Sequence, residues 1–138
     1  NYPQALRFYL LCIRENNPVD STQQSWFLIN TAITYQETKK YSKAQQVYQQ
    51  LLQYGKFFLP ADSAHVYANL SELYADLGER ALAVQYSRAA ERILPRVSGY
   101  YLQSVITRSS SKANAVNNNW LEAYHYEQRY RMYRDSIL

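Results

Sequence analysis

Apolar residues recur at helical spacing along most of this chain, and the clearest case lies between residues 67 and 95. Positions i, i+3, i+7 and i+10 are apolar there and share one helix face: Tyr67, Leu70, Tyr74 and Leu77. Gly78 follows directly, and a residue without a Cβ accepts the left-handed conformation that closes a helix. The pattern therefore predicts a helix that ends near residue 77.

A second helix is predicted after this turn, around a small residue. Ala83 stands where two helices must approach closely, and a larger side chain there would force them apart at a cost of about 1–3 kcal/mol. Pro95 ends the second helix, because it has no amide proton and restricts the residue before it. Residues 67–95 are thus predicted to form a pair of helices joined by a turn.

The same signature recurs at a fixed interval. Small residues separated by 39, 39 and 40 positions mark four units: Ala5, Ala44, Ala83 and Ala123. A period in this range is typical of helical units that stack on their neighbours. We expect units over 1–18, 19–60, 61–96 and 97–138, of which the first keeps only its second helix. Because the pattern is already under way at Asn1 and still running at residue 138, we expect a fragment of a longer protein.

The second and fourth units follow the pattern unequally. In the second, Ser42-x-x-Gln45 forms a capping box at the start of its second helix, and Pro60 is predicted to close the unit. In the fourth, serines at 109–111 replace the expected apolar and small residues, so its first helix, from about Ser98, carries the weaker signal. Asparagines at 117–119 predict the turn that follows.

The third unit resembles a tetratricopeptide repeat. That family's pattern is Trp-x2-Leu-Gly-x2-Tyr, then Ala-x3-Phe, then Pro; the residues here that match its spacing are Tyr67, Leu70, Ser71, Tyr74, Ala83, Ser87 and Pro95. The period exceeds the family's usual 34 by about five residues, so the chain is similar to longer-repeat variants with first helices about one turn longer. The resemblance implies an all-α, right-handed α-solenoid of about seven helices, with one orphan helix and three antiparallel pairs.

Composition and charge agree with packed helices. Apolar residues make up 47% of the 138 residues and charged residues 19%, with three glycines. The net charge of +4 is spread along the chain, which argues against nucleic acid as a partner. The densest basic feature, Arg88, Arg92 and Arg96, lies on one helix stripe and is interpreted as a solvated outer face. No run approaches the 18 apolar residues of a membrane span.

In the architecture that the resemblance implies, the first helices line a concave groove. The candidate ligand contacts, which lie off the packing stripe, are Trp26, Asn30, Ile33, Glu37, His65, Asn69, Glu72, Asp76, Arg108 and Lys112, together with Ile29, Ala68 and Val105. Asn30 and Asn69 occupy equivalent positions in successive units. Their amides either hold the backbone of an extended peptide or merely suit helix packing, and both interpretations stay open.

We expect charge to be graded along this groove. Acidic residues belong to the earlier units and the two basic residues to the last, which suits a ligand with one basic and one acidic end. Catalysis is not expected, because Cys12 has no sequence-evident His partner and no His or Cys pair has metal-ligand spacing. We therefore predict no enzyme activity, no cofactor and no metal.

The predicted function is to bind a protein or peptide segment. The long repeats, the tyrosine content and the ending Tyr130-x-x-Tyr133-Arg134-Asp135-Ser136-Ile137-Leu138 resemble the repeat region of bacterial regulators, which implies a sensing or self-association role. A free-standing scaffold and a helical-repeat RNA binder are the alternatives, and a homo-oligomer stays open. The compartment depends on the parent protein: periplasmic if a membrane helix follows, otherwise cytoplasmic.

Overall fold

The chain forms six bounded helices in a computed structural model that describes residues 3–4, 7–8, 11, 14–15, 18–53 and 59–137. The helices are α1 (Pro18–Glu37), α2 (Tyr41–Gln53), α3 (Pro60–Asp76), α4 (Arg80–Ile93), α5 (Tyr100–Val116) and α6 (Trp120–Ile137). A 3-10 turn, Leu94–Arg96, follows α4 at the predicted Pro95. None of the described residues lies in a strand, so the expected all-α class is confirmed.

The orphan helix expected over 1–18 falls largely outside the described residues. Ala5 and Cys12 are among those left undescribed. The described helical positions in this part of the chain are Pro3, Gln4, Arg7, Phe8, Leu11 and Arg14. The other three predicted units correspond to α1 with α2, α3 with α4, and α5 with α6.

The same backbone turn joins α1 to α2, α3 to α4 and α5 to α6. Each turn contains one residue with positive φ: Lys39 at 61°, Gly78 at 76° and Asn118 at 61°. The amide of the following residue donates to the carbonyl five positions earlier across 2.7, 2.8 and 2.9 Å, as in a Schellman motif. These turns follow one another at the same intervals as Ala44, Ala83 and Ala123, so the period of the sequence is also a period of the backbone.

Helix α3 is the most enclosed element, because it contacts α1, α2, α4 and α5. Its buried side chains join those of α1 and α2 in one apolar core, which includes Leu28, Val47, Tyr48, Leu51, Leu70 and Leu73. A second cluster joins α3 to α5 through Ala64, Ala68, Leu102 and Ile106. The repeated alanines Ala44, Ala83 and Ala123 are all buried, as their predicted packing role requires.

Helix starts differ from the sequence prediction at two places. Pro60, expected to close the second unit, is the first residue of α3, where the missing amide proton costs nothing because the first amides of a helix have no acceptor within it. Helix α5 follows Gly99, which has a φ of 98°, rather than starting at Ser98. Leu77, expected on the buried stripe, is the residue directly after α3 and is exposed.

Candidate functional site

A cleft of about 170 Å³ opens where α1, α3 and α5 meet. The residues that line it are Ile33, Gln36 and Glu37 of α1, Asn69, Glu72 and Asp76 of α3, and Arg108 of α5. Helix α3 packs against both α1 and α5, so side chains one turn apart on the three helices converge here. We call this site the first-helix cleft.

The first-helix cleft collects six of the ten residues predicted as groove contacts: Ile33, Glu37, Asn69, Glu72, Asp76 and Arg108. Lys112 adjoins them through its ion pair with Asp76. Gln36 was not predicted, although it lies beside Glu37 and three residues after Ile33, which places it on the same part of α1. Trp26, Asn30 and His65 do not line the cleft.

Opposite charges on α3 and α5 are paired across this cleft. Arg108 Nε donates to Glu72 Oε1 across 2.7 Å, and Lys112 Nζ forms an ion pair with Asp76 one turn further along both helices. Gln36 Nε2 of α1 also donates to Asp76 Oδ2 across 3.2 Å. Burial lowers the pKa of Arg108 and the Glu72 carboxylate raises it, with a net upward shift. Four of the charges expected to grade the groove therefore neutralise one another in pairs, whereas Glu37 forms no ion pair with a described residue.

The two equivalent asparagines lie in different environments. Asn30 is exposed on α1, whereas Asn69 is buried on α3. The Asn69 amide Nδ2 donates to the His65 carbonyl of its own helix across 2.8 Å. This bond uses one hydrogen of the Asn69 amide and leaves its side-chain oxygen and second hydrogen unused.

The His65 side chain is buried and is not accessible at the surface. Its ring lies 4.8 Å from the Trp26 ring of α1 and 6.1 Å, edge on, from the Tyr101 ring of α5. Neither ring nitrogen has a hydrogen-bond partner among the described residues. Burial lowers the pKa of His65 to about 4, with a smaller contribution from the charge of Arg108. The imidazole is therefore neutral near pH 7 and belongs to the core rather than to a groove.

Asp62 completes this buried cluster one turn before His65. Burial raises the pKa of Asp62. A hydrogen bond to its carboxyl from the Leu59 backbone and another from the Trp26 indole oppose this rise. Trp26 consequently links α1 to α3 through both its ring and its N–H. A role in holding these helices together accounts for the position of Trp26, which was predicted as a ligand contact.

Three further expected groove positions, Ile29, Ala68 and Val105, are core residues. Each lies on a first helix that packs against its own second helix and against neighbouring first helices. Two directions of packing bury a wider face than the single stripe on which the prediction rested.

Within the described residues, no three His, Cys, Asp or Glu side chains come together as a set of metal ligands. None of the helices with described bounds is both long enough and apolar enough to cross a membrane. The arrangement can exchange ion pairs and hydrogen bonds with a ligand in the first-helix cleft.

Comparison with known proteins does not identify a family for this chain. No protein-family model, no curated protein and no solved structure matches it. The resemblance to tetratricopeptide repeats therefore rests on the residue spacing and on the three repeated turns.

Proposed function

We propose that this chain is a helical-repeat module that binds an extended protein segment in the first-helix cleft. In this proposal the helix pairs are antiparallel and stack as a right-handed solenoid of the tetratricopeptide type. The observation that carries it is the convergence of α1, α3 and α5 on one cleft lined by six of the predicted contacts. Three Schellman turns, spaced at the period of the sequence, support the repeat architecture.

The ion pairs of the cleft favour a ligand with charges of both signs. Arg108 and Lys112 keep 47% and 38% of their side chains exposed, so a carboxylate can approach both. A basic side chain of the same ligand can replace them at Glu72 and Asp76. Because exposed ion pairs are worth only about 0–1 kcal/mol each, exchanging them for ligand contacts costs little.

This alternation of charge supports a protein segment over RNA. A helical-repeat RNA binder needs a continuous basic path along the phosphates, with affinity that falls steeply as salt rises. In the first-helix cleft each cation is next to a carboxylate, Arg108 beside Glu72 and Lys112 beside Asp76. The place of this module in a bacterial regulatory protein stays the prediction made from the end of the sequence.

The test begins with selection of binding peptides from a random library displayed on phage. The enriched peptide is then titrated against the double variant E72Q/D76N and against R108Q/K112Q, with fluorescence anisotropy as the readout. We expect each double variant to weaken binding by about fivefold or more, since each removes two charged contacts.

A matched control removes the same charge elsewhere. Glu79 and Glu122 are exposed and do not line the first-helix cleft, so E79Q/E122Q should bind the peptide with unchanged affinity. Asn69 lines the cleft and Asn30 does not, so lost affinity in N69A but not in N30A supports binding of the peptide backbone by the amide. A selected peptide that binds all these variants equally well would place the binding site outside the cleft.

A further inference from the structure

A second and larger cleft, about 570 Å³, lies among α2, α3 and α4. Its apolar wall includes Leu52 of α2, Tyr67 of α3 and Val84 of α4. Two arginines of α4, Arg88 and Arg92, also line it. We call this site the arginine cleft; it shares no lining residue with the first-helix cleft.

The two clefts differ in whether their cations are paired. Arg108 and Lys112 of the first-helix cleft both form ion pairs. By contrast, neither Arg88 nor Arg92 forms an ion pair with any described residue, and none of the residues lining the arginine cleft is acidic. The arginine cleft therefore presents two arginines without an ion pair against an apolar wall, and Arg88 also lines the adjoining cleft that holds Glu91 and Glu122.

The wall of the arginine cleft is held in place by stacked aromatic rings. Tyr67 stacks on Tyr86 with 6.1 Å between ring centroids, and Tyr86 stacks on Tyr74 at 5.5 Å. The Tyr74 hydroxyl in turn accepts hydrogen bonds from Gln45 and Gln49 of α2, across 3.2 and 3.0 Å. This continuous stack ties α2, α3 and α4 together, so a ligand meets a wall that is already ordered.

We propose that the arginine cleft binds an extended acidic peptide segment with carboxylates at alternate positions. Arg88 and Arg92 are four residues apart on α4, which is a rise of about 6 Å along a helix axis. Side chains at alternate positions of an extended chain are about 6.6 Å apart on one side. Each guanidinium can thus meet one carboxylate, while the side chain between them turns away.

The surroundings limit the length of this acidic ligand. Beyond Arg88, an adjoining cleft toward α5 and α6 is lined by Glu91 and Glu122. Their carboxylates interrupt the basic surface, so a long polyanion such as single-stranded nucleic acid would meet repulsion after its first phosphates. A short acidic segment that ends before Glu91 and Glu122 avoids this repulsion.

The test uses the whole chain and a fluorescein-labelled decapeptide of alternating Asp and Ser, read by fluorescence anisotropy at low salt. We expect saturable binding, and we expect R88Q/R92Q to weaken it by about fivefold or more. A decapeptide with Asn in place of Asp should not bind. The variant R108Q/K112Q, which alters the first-helix cleft, should leave this binding unchanged, and this separates the arginine cleft from the first-helix cleft.

A control variant with the same net charge distinguishes binding in the arginine cleft from general attraction by the positive charge of the protein. Arg80 and Arg96 are exposed, lie outside the lining, and are also on or next to α4, so R80Q/R96Q removes the same net charge. Unchanged affinity in R80Q/R96Q supports the site. Equal losses in both double variants, no saturable binding, or tighter binding of a single-stranded DNA decamer than of the peptide would each overturn the proposal.

Discussion

The Ser71 hydroxyl of α3 donates to the Ala83 carbonyl of α4 across 2.8 Å, and the equivalent bond recurs in the next helix pair. There, the Ser111 hydroxyl of α5 donates to the Ala123 carbonyl of α6 across 3.0 Å. Both serines occupy the place where the tetratricopeptide pattern has Gly. In these two pairs the serine at this position thus bonds the first helix to the second. In the unit before them the corresponding residue is Ala32, which has no hydroxyl.

Replacing Ser71 with Ala tests this bond. We expect the free energy of unfolding to fall by about 1 kcal/mol, the usual net value of an intramolecular hydrogen bond. Urea unfolding followed by circular dichroism measures the change. Ser98 is exposed and precedes α5, so S98A serves as the control and should leave stability unchanged. A loss in S71A no larger than in S98A would show that the bond contributes nothing.

The repeated turns give a second prediction, at Gly78. A Cβ added there would meet no atom within 4 Å, so G78A changes only the backbone preference of a residue with a φ of 76°. We expect G78A to lower the free energy of unfolding by about 1 kcal/mol, because residues with a Cβ disfavour the left-handed region. G78N should lose less, because Asn tolerates that region and Asn118 already occupies the equivalent turn. Equal losses in thermal unfolding would contradict this reason.

Helical periodicity predicted the all-α class and the approximate positions of the helices, and α5 shows where this signal becomes weak. Several polar side chains there satisfy themselves on their own helix: Ser104, Thr107 and Ser109 donate to carbonyls three or four positions earlier. These hydroxyls can then be buried without a partner from another element. A pattern that counts only apolar residues therefore underestimates the buried face of this helix.

The candidate site was predictable in its helices but not in its pairings. Glu72 pairs with Arg108, and Asp76 with Lys112, across a sequence separation of 36 that is shorter than the repeat period. The separation of 36 is smaller than the period because α5 is shifted along α3. The sequence of one helix does not contain information about this shift. Burial of His65 likewise depends on α1 and α5 packing over it from both sides.

Two buried tyrosines should respond oppositely to loss of the hydroxyl. The Tyr48 hydroxyl is buried without a partner among the described residues, and burial raises its pKa, as do the charges of Glu72 and Glu37. Y48F should raise the free energy of unfolding by about 1 kcal/mol, since it removes an unsatisfied polar group. Y74F should lower it by about 1 kcal/mol, because the Tyr74 hydroxyl accepts two hydrogen bonds. Chemical denaturation of both variants checks the two signs, and a loss in Y48F would contradict the first.

Stability should fall in mild acid because of His65. The pKa of His65 is about 4 in the folded chain, and 6.5 is its ordinary value, so between these pH values the unfolded chain binds the extra proton. Stability is therefore fully present above pH 6.5 and declines as pH falls toward 4. Near pH 4.5 the loss attributable to His65 is about 2–3 kcal/mol.

The variant H65F isolates this effect, because it keeps a ring in the core and cannot take up a proton. Urea unfolding near pH 7 and near pH 4.5 should show a smaller drop for H65F than for the unmodified chain. The difference between the two chains also removes the contribution of Asp62, whose raised pKa acts in the opposite direction. His125 is exposed on α6, and H125F is the matched control. An identical pH dependence in H65F and the unmodified chain would contradict the assignment.

The ion pair between Glu72 and Arg108 should be worth more than a pair on the outer surface. Glu72 keeps 13% of its side chain exposed and Arg108 47%, whereas Glu127 and Arg131, paired within α6, keep 37% and 60%. Double-mutant cycles with Gln at each position should give a coupling free energy of about 1 kcal/mol for the first pair and about 0.3–0.5 kcal/mol for the second. Salt at about 1 M shortens the screening length to about 3 Å, so it should abolish the coupling of the exposed pair and retain part of the other. Both pairs consist of Glu and Arg, so the charged groups are the same in the two cycles, whereas one pair joins two helices and the other lies within α6. Equal couplings, or equal losses in salt, would mean that the first-helix cleft does not shield its charges.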